Sequence, residues 1–142
     1  LVQSSLLTFE PVFFERGLAF SAQVDESVTV SGEAEKLSRA VEILLDNAAK
    51  YSREGGQVRV SLQRRMKGRC LLTVASQGQG LSPQELKDIF KRFYRADPAR
   101  SNDGSFGLGL PIAQSIVTRH GGRIWAESRD GVNSFYIELP CA

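Results

Sequence analysis

A chain of 142 residues with 42% hydrophobic and 24% charged side chains is long enough for one domain with a full core and too apolar to be disordered. A formal charge of +2 supplies no field that would select nucleic acid or a membrane surface, and no apolar run is long enough for a bilayer span or a signal peptide. Cys70 and Cys141 are too few and too distant in sequence for a metal knuckle or a disulfide framework, so both are read as ordinary thiols in a reducing compartment. The chain begins at Leu1 rather than a methionine, which suggests a piece of a longer protein.

In chain order, Val2, Leu6, Phe9 and Phe13 recur at helical spacing, with Pro11 expected to kink or interrupt the helix and Gly17 to end it. Leu18, Phe20, Ala22 and Val24 alternate as a half-buried strand, and Val28 to Val30 reads as a short second strand paired with it across Asp25 to Ser27. From Gly32 to Ser52 the period becomes 3.6, and Leu37, Val41, Leu44 and Ala48 fall in one narrow apolar arc. Val58, Val60 and Leu62, then Cys70, Leu72 and Val74, alternate on either side of a turn at Lys67 and Gly68, which predicts a long antiparallel hairpin. Its cations, Arg59, Arg64, Arg65, Lys67 and Arg69, belong to a solvated face and the tip.

Ser82, Pro83 and Glu85 spell a capping box with proline at the first helical position, opening a short helix that carries Leu86, Ile89, Phe90 and Phe93. Residues 95–106 have no apolar period and read as a mobile lid. Next, Gly107 and Gly109 lead into a helix with Pro111 in its first turn, Ile112, Ile116 and Val117 as its apolar stripe, and Gly121 and Gly122 as its stop. Such a start suits an anion, because its free N–H groups and macrodipole are aimed at it. Ile124 to Ala126 and Phe135, Ile137 and Leu139 make two last strands about a turn at Arg129 to Gly131. The sum is an α+β fold, a two-layer α/β sandwich with a mixed, mostly antiparallel sheet of about five strands covered on one face by three helices, forming a single domain over 1–142.

On the 32–52 helix, Asn47, Lys50 and Tyr51 sit at i, i+3 and i+4, so an amide, an ammonium and a ring project from one side, about a quarter turn from the apolar arc. That trio suits a nucleotide: an amide oxygen for Mg²⁺, a cation for phosphate and a ring for a base.

Four stretches then resemble, in order and spacing, the boxes of the catalytic ATP-binding domain of sensor histidine kinases. They are Leu44 to Ser52 (the N box), Gly78 to Leu81 (the first glycine box), Phe90 to Arg95 (the F box) and Gly107 to Leu110 (the second glycine box). Arg119 to Ser128 and Asn133 to Pro140 are similar to the family's C-terminal half. The resemblance implies the Bergerat fold and ATP with Mg²⁺ as cofactors. It implies Asn47 as metal ligand, Lys50, Arg92 and Arg95 on the phosphates, Tyr51 and Leu81 against the adenine, Ser76, Gly78 and Gly80 around it, Gly107, Leu108, Gly109 and Leu110 as a phosphate cradle, and Ser134 at the pocket floor. As partners it implies a dimerisation domain of the same protein carrying the phosphoacceptor histidine upstream of Leu1, and a response regulator. The place of action it implies is the cytoplasm, within a membrane-anchored parent.

Two positions depart from the family's pattern. Ser76 stands where the family has an aspartate that accepts from the adenine amino group, a trade worth roughly 1–2 kcal/mol, or about tenfold in affinity. Ile43 stands where the family has a second asparagine and where the topoisomerase and chaperone branches have a water-activating glutamate. With no base aimed at water, the γ-phosphate is expected to meet a nucleophile brought from outside. His120, at a helix end, is expected to serve the helix dipole rather than accept phosphate. Two alternatives stand beside this reading: a degenerate docking module, which would bind no ATP analogue, and an autonomous ATPase, which would turn over without a partner.

Overall fold

A computed structural model describes residues 2–25, 28–65, 68–91 and 109–141. The elements are α1 (Val2–Glu15), β1 (Ala19–Val24), α2 (Ala34–Tyr51), β2 (Gln57–Arg64), β3 (Arg69–Gln77), α3 (Pro83–Asp88), α4 (Gly109–Arg119), β4 (Arg123–Arg129) and β5 (Val132–Pro140). The five strands form one sheet in the order β1-β2-β3-β5-β4. Every neighbouring pair is antiparallel except β1 with β2, which is parallel.

The parallel pair corrects the expected strand at Val28 to Val30. β1 takes β2 as its partner, from Ala19 opposite Gln57 to Val24 opposite Leu62, because α2 carries the chain across the sheet between them. Val28 to Val30 adds no strand; Val30 packs against the core instead. The expected interruption at Pro11 is also corrected, since α1 runs unbroken through it. Pro11 lies on the exposed side with Leu7 and Phe14, where water can satisfy the carbonyl that a missing N–H leaves.

The core lies between the sheet and helices α1, α2 and α4. Phe13, Leu44, Leu45, Val58, Val60, Val74 and Val117 are its fully buried side chains, each worth about 1.5–3 kcal/mol of burial. Register explains which strand residues take part. Val60 faces Val74, and Val74 faces Phe135, so one alternating set from each strand points at the helices. The opposite face is open and carries Trp125 stacked on Tyr136 at 5.2 Å, with the Arg123 guanidinium 4.8 Å from the indole centre.

Helices α2 and α4 run antiparallel and touch at both ends. Near the start of α2, the Glu33 N–H donates to His120 Nε2 at 3.2 Å, while His120 Nδ1 lies 2.8 Å from the Ile116 carbonyl oxygen. Those two contacts assign the Nδ1–H tautomer. A side chain at Gly32 would collide with the His120 ring, so this junction needs a glycine. At the other junction, a Cβ on Gly109 would stand 3.4 Å from Ile43 Cγ2. The first residue of α4 therefore lies against α2 one turn before Asn47.

Candidate functional site

Two contacts bear on the site: the start of α4 lies against Ile43 of α2, and the loop that leaves β3 lies against the last residues of α2. The burial of Leu44, Leu45, Ala48 and Ala49 fixes the rotation of α2, and that rotation leaves Asn47, Lys50 and Tyr51 at the side of the core rather than in it. Asn47 Nδ2 is buried and has no hydrogen-bond partner among the described residues. Buried amides are normally satisfied, and an orphaned donor costs about 1–3 kcal/mol. Such a donor fits an acceptor brought by a ligand, such as a phosphate oxygen. Lys50 Nζ pairs with Asp46 Oδ2 at 3.1 Å, and its side chain is 17% exposed, which holds the ammonium beside Asn47.

The loop at Gly78 to Leu81 docks directly on the end of α2. Ser52 and Gly78 form an isolated antiparallel bridge, and the Arg53 N–H donates to the Gln77 carbonyl at 2.9 Å. A Cβ at Gly78 would run into the Tyr51 carbonyl oxygen, so this glycine is required by a close backbone approach. The half-buried Tyr51 is thereby placed beside the first glycine box.

Two residues that the sequence reading passed over hold that loop. Asn133, 3% exposed, donates from Nδ2 to the Gln79 carbonyl at 2.9 Å and accepts at Oδ1 from Ser128 Oγ at 2.8 Å. Ser128 Oγ in turn accepts from the Leu81 N–H at 2.9 Å, and the Gly78 N–H donates to the Gly131 carbonyl at 2.9 Å. The signal for Asn133 was present in the alternation. If Phe135 and Ile137 point inward, so does Asn133, and a polar residue in an inward register position is a candidate for a polar task.

The same alternation puts Ser134, expected at a pocket floor, on the opposite face from Asn133. Ser134 lies opposite Ala75 and Glu127, on the open face of the sheet, between the buried Asn133 and Phe135. Ser76 is 3% exposed and pairs with Val58 on one side and Asn133 on the other, so Ser76 and Asn133 share the helix-facing side. Asn47, Lys50 and Tyr51 lie on α2, Ser76 near the end of β3, Gly78, Gly80 and Leu81 on the loop that docks on the end of α2, and Gly109 and Leu110 at the start of α4, while Ser134 faces the open side of the sheet. Arg92, Arg95, Gly107 and Leu108, with the lid expected over 95–106, lie outside the described residues.

The expected approach to the lid begins as read. The Ser82 side chain accepts from the Glu85 N–H at 3.1 Å, and the Ser82 N–H donates to Glu85 Oε1 at 3.0 Å. At the end of α3, contact with the Lys91 ammonium and then with the Gln84 amide lowers the pKa of Asp88 from the usual carboxylate value. Among the described residues there is no group of three or more His, Cys, Asp or Glu side chains able to hold a metal ion.

Residues 32–142 match the family model described as histidine kinase-, DNA gyrase B-, and HSP90-like ATPase. The sensor protein VanS of Enterococcus faecium is 38% identical over 134 residues, covering 93% of this chain and 34% of VanS. The solved mycobacterial sensor histidine kinase MprB superposes with a TM-score of 0.83 at 34% identity, over 99% of this chain and 91% of that one. The histidine kinase ThkA, solved in complex with the response regulator protein TrrA, shares the fold with a TM-score of 0.82 at 22% identity, over 99% of this chain and 39% of that one. The chain spans between about a fifth and a third of the length of the curated relatives it matches. Among the described residues no helix is long and apolar enough to cross a membrane.

Proposed function

The chain belongs to the family of histidine kinase-, DNA gyrase B- and HSP90-like ATPases, and on that footing we propose that it holds Mg-ATP for a sensor histidine kinase. It would present the γ-phosphoryl group to a histidine on a separate dimerisation domain of the same protein. The observation that carries this reading is the buried Asn47 amide, which has no partner among the described residues and lies one turn past the point where the first residue of α4 meets α2.

The roles proposed for the other residues are those the family resemblance implies. The Asn47 amide would offer its oxygen to Mg²⁺ and its nitrogen to a phosphate oxygen, and the cation would supply charge neutralisation on the phosphates. Lys50, held beside it by Asp46, would add a second positive charge. Tyr51 and Leu81, on either side of the Gly78 junction, would flank the base, with Ser76 accepting from it. The N–H groups at the Gly109 end of α4 would receive the terminal phosphates, and Arg92 and Arg95 would reach the same charge.

Among the described residues no base stands one turn before Asn47. Ile43 occupies the helical position one turn before Asn47 and packs toward Gly109, so an apolar side chain fills the place a general base would need. His120 cannot serve as acceptor without giving up its contacts to the Glu33 N–H and the Ile116 carbonyl. The catalysis left to the protein is positioning and electrostatics. The response regulator is the expected downstream partner, as TrrA is for ThkA, and the cytoplasm of a membrane-anchored parent is the expected place of action.

Calorimetric titration with a non-hydrolysable ATP analogue, with and without Mg²⁺, tests the reading. Binding in the micromolar to millimolar range is expected, tightened by Mg²⁺, with that metal-dependent part lost in Asn47→Ala. No heat at millimolar ligand would assign the fold to docking instead, and an unchanged Mg²⁺ effect in the variant would remove Asn47 from the site.

A further inference from the structure

The two cysteines that looked unrelated in sequence are brought together at the end of the sheet remote from Asn47. β3 and β5 pair from Gln77 opposite Val132 to Arg69 opposite Pro140, with Cys70 opposite Leu139. One step past the last pair, the Cys141 N–H donates to the Gly68 carbonyl at 2.9 Å. Cys141 is two residues beyond Leu139, so its side chain returns to the face that Cys70 occupies, on the diagonal. Cys141 is also the neighbour that, after burial, raises the Cys70 pKa. On the opposite flank of β3, Arg64 pairs with Cys70 and donates from Nη1 to Cys141 Sγ at 3.9 Å.

The two sulfurs differ in access. Cys70 is 2% exposed, whereas Cys141 is half-buried and lies outside the ladder. Both are free thiols. A metal site is a poor explanation, because among the described residues no third ligand joins them. What remains is an accessible sulfur beside a guanidinium, which attracts the anion, with a second sulfur in reach behind it. That is the layout of an attacking and a resolving thiol.

We propose that Cys70 and Cys141 form a thiol–disulfide exchange site that takes a low-molecular-weight disulfide as oxidant and closes into an intramolecular disulfide. Cys141, as thiolate, attacks one sulfur of RS–SR; a Cys141–SR bond forms, the RS–SR bond breaks, and RS⁻ leaves and takes up a proton. Cys70 then loses its proton to solvent and attacks Cys141 Sγ; the Cys70–Cys141 bond forms and a second RS⁻ leaves, to be protonated in turn. Two protein thiols are oxidised by two electrons, one disulfide is reduced to two RSH, and the two cysteine protons are balanced by the two released thiols.

Burial first, and then the neighbouring Cys141, push the Cys70 thiol up to about 11. Cys70 is thus spared direct attack, and capping Cys141 removes the charge that opposes its ionisation. Closure requires a small movement. Diagonal neighbours in a sheet stand about 7–8 Å apart, while a disulfide wants Cα atoms within roughly 4.4–6.8 Å. Cys141 can supply that movement, because it lies past the last ladder pair. The new bond would tie the end of β5 to the start of β3, six residues and roughly 20 Å of strand away from Ser76.

The test is intact-mass analysis and thiol counting after incubation with oxidised glutathione at mildly alkaline pH. The wild-type chain should lose both thiols and the mass of two hydrogens, with a higher thermal midpoint that reductant reverses. Cys70→Ser should stop with one glutathione attached, Cys141→Ser should stay unmodified, and Arg64→Gln should slow the wild-type reaction several-fold. A wild type that remains unmodified or stops at the glutathione adduct would overturn the proposal. So would a Cys141→Ser variant that reacts as fast as the wild type.

Discussion

Helices α2 and α4 meet twice, and the two meetings are built in opposite ways. At the His120 end both imidazole nitrogens are engaged by backbone groups, one from each helix, and Gly32 gives up a side chain to make room for the ring. At the Gly109 end the helices also touch, through Ile43, yet one turn on the Asn47 amide nitrogen is buried with no partner among the described residues. The same pair of helices is thus closed at one end and left wanting an acceptor at the other. Polar satisfaction marks the His120 junction, and an unsatisfied donor among the described residues sets the other end apart as the place proposed for a ligand.

The largest effect expected from breaking this contrast lies in the loop opposite Asn47. Asn133→Ala removes the donor to Gln79 and the acceptor of Ser128 together, leaving buried polar groups unmatched, and should cost about 2–3 kcal/mol in urea denaturation. Nucleotide affinity should fall with it, because Leu81 is anchored through Ser128. An unchanged midpoint would show that the loop holds itself. At the closed junction, His120→Ala should cost about 1–2 kcal/mol by abolishing both backbone contacts. Asn47→Ala should leave stability within about 0.5 kcal/mol of wild type, because it removes a donor that has no partner among the described residues. Equal losses from the two variants would erase the distinction between the ends.

A subtler change sharpens the open end. Ser76→Asp restores a charged acceptor on the face shared with Asn133 and should tighten binding of an ATP analogue about tenfold. It should also lower the stability of the ligand-free chain, where the carboxylate is buried without its ligand. A GTP analogue should gain nothing, since guanine presents an oxygen where adenine presents an amino group. Tighter binding of both would make the effect electrostatic rather than specific.

How much of this could be read beforehand depended on whether the information was local. Helix α2, the β2–β3 hairpin and the Ser82 capping box follow from periodicity and cap chemistry within a few residues, and they stand as expected. The pairing of β1 did not follow, because a parallel partner that lies across a helix leaves no mark on the alternation of Val28 and Val30. The junction at Gly109 was legible as a glycine-led helix, but its proximity to Asn47 rests on α2 and α4 packing antiparallel. Asn133 and Cys141 needed the register of β5. In each case the residue type was visible and its neighbour across the sheet was not. Asn133, buried, and Ser134, on the open face, show how sharply a strand's period of two divides the faces.

The smallest expected effect concerns the closed end. Cys70 has its pKa raised from 9.0 to about 11, by burial first and by Cys141 next. A group that holds its proton more tightly in the folded chain than in the unfolded one contributes stability that is complete below the unfolded value, and loses it as the pH climbs toward the folded one. The wild-type chain should therefore lose stability between pH 9 and 11 more steeply than Cys70→Ala. The difference between the two slopes isolates the Cys70 thiol. Because Cys141 is part of the cause, Cys141→Ala should reduce the wild-type slope without abolishing it. A Cys141→Ala slope identical to wild type would mean that the two sulfurs do not sense each other, and the exchange chemistry proposed for them would lose its geometric basis.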